Sequence, residues 1–159
     1  MTHPVFDAVF DSPVGRLGIV LDGDGLRALT FLDGRTEILP ARRPAIRRVQ
    51  KAILDYLDAP DALPAVPLAV EGTSFQQRVW AALQAIPAGQ VMTYGELAAQ
   101  LQTGARAVGN ACRQNPTPLA VPCHRVVPSK GIGGFAGHTS GRLVAVKRQL
   151  LVREGVEIH

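Results

Sequence analysis

The texture of this chain changes near residue 72, from a strand-rich first part to a mainly helical second. Before that point, "GRLGIVL" alternates through Leu17, Ile19 and Leu21, the two-residue repeat of a half-buried strand. The turn signals "SPVG" at 12–15 and "DGDG" at 22–25 flank it. Together they predict a three-stranded antiparallel meander over about 4–11, 15–22 and 26–32. A helix over 42–57 follows, with Ile46, Val49, Ile53 and Leu57 on one face. "DAPDALPAVP" reads as a proline-rich connection, and "LAV" at 68–70 as a further short strand.

Beyond residue 72 helical repeats dominate. In "TSFQQRVWAALQAIPAGQ", Phe75, Val79, Leu83 and Ile86 form an apolar stripe. Ser74 and Gln77 fit a capping box, and Pro87 stops the helix. Thr93 and Glu96 fit a second capping box at the start of "TYGELAAQLQTGARAVGNACRQNP". That stretch reads as helix, turn at "QTG" (102–104), and helix ending at Asn115-Pro116. The fold class expected is α/β (α+β). A small antiparallel-sheet domain occupies 1–72, and a mainly helical domain with a helix-turn-helix occupies 73–159.

Charge divides at the same place. Residues 1–72 carry eight Lys/Arg against ten Asp/Glu, whereas 73–159 carry nine against three. A basic second half suits a polyanion partner, although an ordinary solvated surface has the same composition. In the second helix of the pair, Arg106, Asn110 and Arg113 share a polar face. Ala105, Val108 and Cys112 share an apolar one, so Cys112 reads as core. Small residues at Ala107, Gly109 and Ala111 would let that helix enter a tight space. Residues 1–20 do not read as a signal peptide, and no apolar run has the length of a membrane span. Two cysteines make neither a disulfide framework nor a zinc spacing, which points to a reducing, cytoplasmic setting.

The chemistry concentrates in "AVPCHRVVPSKG" at 120–131. A neighbouring base and a positive charge lower a thiol pKa, so Cys123 beside His124 and Arg125 fits an activated thiolate. An inert buried cysteine fits the local pattern equally well. Adjacent side chains on a strand point to opposite faces, so cooperation of Cys123 with His124 needs a turn or a bridging water; Pro122 favours a turn. In the last helix, running from a Ser140 cap to Gly155, Leu143, Val146, Leu150 and Leu151 form a stripe on which Glu154 also falls. A carboxylate there needs a partner such as His124, or else it frays into solvent at the helix end. His3, His138 and His159 have no ligand spacing, so no metal is expected.

Four blocks, "FQQRVWAALQAIPAGQVMTYGELA" (75–98), "ARAVGNACRQNP" (105–116), "PCHRVV" (122–127) and "VKRQLLVREG" (146–155), resemble those of the O6-alkylguanine-DNA alkyltransferases. The resemblance implies a winged form of the helix-turn-helix. It implies minor-groove binding of double-stranded DNA, flipping of an O6-alkylguanine, and irreversible transfer of its alkyl group to Cys123. O4-alkylthymine is implied as a further substrate. His124 would act through water as the base, Glu154 would orient it, Tyr94 would donate a proton to the leaving guanine, and Asn115 would support the active-site turn. Arg106 would fill the gap in the base stack, with Ala107, Asn110, Arg113 and Arg125 also at the DNA. Val126, Phe135 and Ala136 would line the alkyl pocket.

The chain departs from the family pattern at Phe135, where many relatives carry tyrosine, and at "HTSGR" (138–142), a short insertion. Zinc ligands found in some relatives have no counterpart. The expectation is therefore a monomer without metal, cofactor or membrane partner. A non-catalytic lesion-sensing DNA-binding module and a cysteine hydrolase are the competing readings.

Overall fold

The computed structural model describes residues 6–60, 64–131, 133 and 141–157. The meander is present as β1 (Ala8–Ser12), β2 (Gly15–Asp22) and β3 (Gly25–Leu32), antiparallel in the order β1-β2-β3. Register pairs Leu17 with Phe10 and Phe31, so the period-two apolar set lands on one face. Leu17, Ile19 and Leu26 are fully buried there. Both sheet edges are partly covered, by bridges from Leu39 to Val9 and from Leu68 to Leu26. The expected strand at 68–70 is reduced to that single bridge: Leu26 donates to Pro67 O and accepts from Ala69, and no ladder continues. The first expected strand begins at Ala8, and residues 4 and 5 lie outside the described residues.

Helix α1 (Pro44–Asp58) starts with proline at its first position, where the missing N–H costs no hydrogen bond. It buries Ile46, Val49, Ile53 and Leu57 as the spacing predicts, and Tyr56 with them. Helix α2 (Ser74–Gln84) carries a capping box, but one residue earlier than the sequence suggests. Thr73 is extended and accepts from Gln76 N, while Gln76 Oε1 accepts from Thr73 N at 2.9 Å. Thr73 and Ser74 both have a glutamine three residues on; Ser74 is already helical, so Thr73 takes the cap.

A two-residue strand β4 (Met92–Thr93) leads into α3 (Tyr94–Leu101), whose Thr93–Glu96 capping box forms as expected. Helix α4 (Ala105–Arg113) completes the helix-turn-helix, and β5 (Val126–Val127) pairs parallel with β4. Arg106, Asn110 and Arg113 are exposed on α4, while Val108, Ala111 and Cys112 are buried. Ala105, grouped with the apolar face by its spacing, is exposed at the first turn. Ala111 faces inward, and its carbonyl accepts from Trp80 Nε1 at 2.9 Å. The last helix, α5, runs Arg142–Arg153 with Gly141 at its N-cap; the expected Ser140 cap lies outside the described residues.

One apolar cluster runs from Ala8 in the sheet to Leu150 in α5. Two long-range hydrogen bonds reinforce it. Leu29 N on β3 donates to Pro116 O, just after α4, and Arg153 Nη1 donates to Leu57 O at the end of α1. The sheet and α1 are thus packed directly against the elements that follow residue 73.

The turn between α3 and α4 has an unexpected owner. Gly104 lies at φ −99°, an ordinary conformation, whereas Gln102 takes the left-handed one at φ 57° and ψ 49°. A side chain in that region costs about 1 kcal/mol relative to glycine. Gln102→Gly should therefore raise the melting temperature by about 2–4 °C, as read by thermal denaturation, leaving the helix-turn-helix otherwise unchanged.

Candidate active site

Pro122, Cys123, His124 and Arg125 turn through one short 3-10 segment, closed by Arg125 N donating to Pro122 O at 3.0 Å. This turn resolves the orientation problem that an extended Cys-His pair would pose. It lets Cys123, His124 and Arg125 all point inward, at 6%, 0% and 1% exposure. The turn is held from behind by Asn115. Its Nδ2 donates to Val121 O at 2.9 Å, and its Oδ1 accepts from Thr117 N at 3.0 Å. Between these anchors Leu119 sits at φ 77°, a strained conformation for a leucine.

Glu154, the C-cap of α5, brings the buried charges together. His124 Nε2 lies 3.0 Å from Oε1. Arg125 donates from Nε to Oε1 at 3.0 Å and from Nη2 to Oε2 at 2.5 Å. Tyr56 donates its hydroxyl to Oε2 at 2.6 Å. Arg125 Nη1 also donates to Ile86 O at 2.6 Å, just beyond α2. Burial alone would raise the Glu154 carboxyl, but the donations from His124, Arg125 and Tyr56 outweigh it and hold the pKa at about 2. Glu154 is therefore a buried, partnered carboxylate and not a frayed helix-end charge.

With an ionised carboxylate facing Nε2, the imidazole keeps its proton there and presents the Nδ1 lone pair. Nδ1 is buried and has no hydrogen-bond partner among the described residues. Burial lowers the His124 pKa, opposed by Glu154, so the ring rests neutral and able to accept a proton. Burial raises the Cys123 thiol, opposed by the Asn115 side chain and by the Lys147 charge. The resting cysteine is a protonated thiol beside a neutral base.

Lys147 is a site residue that the sequence reading missed. It is fully buried, and its Nζ donates to Val126 O at 2.8 Å. Burial lowers its pKa to about 8, opposed by Cys123 and Cys112. Tyr94 is half-buried near both cysteines, and burial pushes its hydroxyl up to about 12, so it stays a proton donor at neutral pH. Cys112 is core, as its spacing predicts, and burial pushes its thiol up to about 12.

The expected DNA-facing residues divide. Arg106, Asn110 and Arg113 are exposed and Ala107 is half-buried on α4. Arg125 is not a surface cation: its guanidinium is spent on Glu154 and Ile86, and the expectation that it meets DNA is corrected. Val126 is fully buried beside the turn, while Phe135 and Ala136 lie outside the described residues. Among the described residues no group of three His, Cys, Asp or Glu side chains converges as a metal site would require.

Residues 74–156 match the model of the 6-O-methylguanine DNA methyltransferase DNA-binding domain. A methylated-DNA–protein-cysteine methyltransferase of Methanosarcina acetivorans is 36% identical, over 95% of this chain and 99% of that protein. The protein of the same name from Haemophilus influenzae is 35% identical over 80% of this chain and 76% of its own. The crystal structure of Mycobacterium tuberculosis O6-methylguanine methyltransferase superposes with a TM-score of 0.75 at 35% identity, covering 92% of this chain and 90% of that one. The M. tuberculosis protein in complex with DNA superposes at 0.74.

The buried pair carries a stability prediction. The folded Glu154 pKa lies below the unfolded value of about 4.3, so its stabilisation is present above that pH and fades as pH falls toward about 2. His124 acts in the same direction, because the unfolded chain takes up a proton below about 6.5 while the buried ring resists it. Arg125→Met leaves the carboxylate buried without its main countercharge. Urea unfolding should show a loss of about 3 kcal/mol at neutral pH. The loss should become smaller as the medium is acidified and Glu154 is neutralised.

Proposed function

Since the chain belongs to the 6-O-methylguanine DNA methyltransferase family, we propose that it repairs DNA by moving an alkyl group from O6 of guanine to Cys123, once per molecule. The observation that carries the assignment to Cys123 is the buried turn that seats the thiol beside His124, whose partner Glu154 leaves Nδ1 open as a base. His124 takes the thiol proton through a bound water. The thiolate sulfur attacks the alkyl carbon, a carbon–sulfur bond forms, and the carbon–O6 bond breaks with its electron pair on guanine. Tyr94 supplies a proton to the departing base. Thiolate is a poor leaving group from the resulting thioether, so the cysteine is not regenerated.

The DNA is handled by residues 73–159, read as the DNA-binding and alkyl-acceptor domain beside an N-terminal domain of 1–72. Helix α4 enters the minor groove with its exposed face of Arg106, Asn110 and Arg113. That groove has little sequence code, which suits repair at any site. O6 is hidden inside a duplex, so the nucleotide must leave the stack, and Arg106 fills the gap. Val126, fully buried beside the turn, borders the alkyl pocket. The protein works as a monomer in the cytoplasm, where its two free, buried cysteines stay reduced. Among the described residues no helix is long and apolar enough to cross a membrane.

Two variants test this. Cys123→Ala should bind an O6-methylguanine duplex with near-unchanged affinity and transfer nothing; normal transfer by this variant would remove Cys123 from the role. Arg106→Ala should slow repair of the duplex at least tenfold, roughly the cost of one lost stacking contact, yet scarcely affect transfer from free O6-benzylguanine. Equal losses on the two substrates would make Arg106 a support of the fold instead. Binding of the intact protein should weaken steeply with salt through counterion release.

A further inference from the structure

Helix α1 contributes one side chain to the catalytic turn. Tyr56 reaches it across 98 residues of sequence to donate to Glu154 Oε2 at 2.6 Å, and its oxygen lies 3.3 Å from His124 Nε2. The hydroxyl has given its hydrogen to the carboxylate, so toward His124 it offers only a lone pair. Nε2 therefore faces two acceptors, Glu154 Oε1 and the Tyr56 oxygen, and Nδ1 faces no hydrogen-bond partner among the described residues.

We infer that Tyr56 is a positioning residue of the transfer reaction: by donating to Glu154 it limits the carboxylate's pull on His124 and keeps the resting imidazole neutral with Nδ1 free. The inference rests on the relay proposed above and assigns the N-terminal helix a part in it.

The electrostatic reasoning is direct. An unrelieved carboxylate beside an imidazole favours imidazolium, which cannot take a proton from a thiol. The charged and titratable groups facing His124 come from three elements: Lys147 on α5 and Glu154 at its C-cap, Arg125 on the 3-10 turn, and the neutral Tyr56 hydroxyl on α1. Arg125 and Lys147 oppose imidazolium as full charges. Tyr56 opposes it by a hydrogen bond that draws on the Glu154 charge. Burial and the neighbouring carboxylate both push the Tyr56 hydroxyl pKa far above its ordinary value, so the donor persists across the working pH range.

Tyr56→Phe removes the oxygen and keeps the ring. In the unreacted protein, the His124 ring titration followed by NMR should move up by about half a pH unit or more. The acid limb of the transfer rate on free O6-benzylguanine should move up with it. Ile53→Val, on the same buried face of α1 but without a polar atom, loosens packing alone and should leave the His124 midpoint where it is. An unchanged midpoint in Tyr56→Phe, or an equal shift in Ile53→Val, overturns the inference. If the midpoint moves but the rate of the unmodified protein ignores the charge of His124, the relay itself fails, and Tyr56 loses its part in transfer with it.

Discussion

The carboxylate of Glu154 is the interaction on which the rest of the site depends. It is buried, ionised and bonded to Tyr56, His124 and Arg125, which come from α1 and the catalytic turn. A lone buried carboxylate would be costly. Three donors offset that cost and, in return, the carboxylate fixes where each donor sits. Arg125 extends the network to the end of α2 through Ile86 O. The C-terminal helix, the cysteine turn and the N-terminal helix are thereby locked to one anchor. The geometry that places Nδ1 of His124 as a free base is a consequence of that lock.

The contrast between the two cysteines shows what the anchor does. Both are buried, and burial raises both thiols. Cys112 lies on an apolar helix face. The Lys147 charge favours the thiolate of both cysteines; only Cys123 also has the Asn115 side chain as a partner and a base as its chain neighbour. Burial therefore does not distinguish an inert thiol from an acceptor. The distinction is a set of groups that favour the charged form at the moment of reaction, while the resting thiol stays protonated and protected.

Much of this was legible in the sequence because it follows from periodicity. The alternation through Leu17, Ile19 and Leu21 gave the sheet, and the stripe through Leu150 and Leu151 put Glu154 inside. The same stripe contains Lys147, four residues after Leu143 and three before Leu150, and Tyr56 falls three after Ile53. The periodic signal was present for both, but a lysine amid "VKRQ" and a tyrosine amid "LDYLD" read as ordinary amphipathic residues until their partners are known. Arg125 could not be placed by period, since it lies in a short 3-10 turn that follows neither the strand nor the α-helical repeat. The cap at Thr73 and the left-handed Gln102 were missed for different reasons. Thr73 and Ser74 both satisfied the capping rule, and only backbone geometry chose between them, whereas a glutamine in the left-handed region two residues before Gly104 runs against the local preference for glycine.

The most direct measurement is the mass of the intact protein and of its peptides after incubation with excess duplex carrying a single O6-methylguanine. The account predicts one added methyl group per molecule, carried on Cys123, and no further demethylation once that group is in place. A methyl group on Cys112, or repeated turnover with an unmodified Cys123, would contradict it.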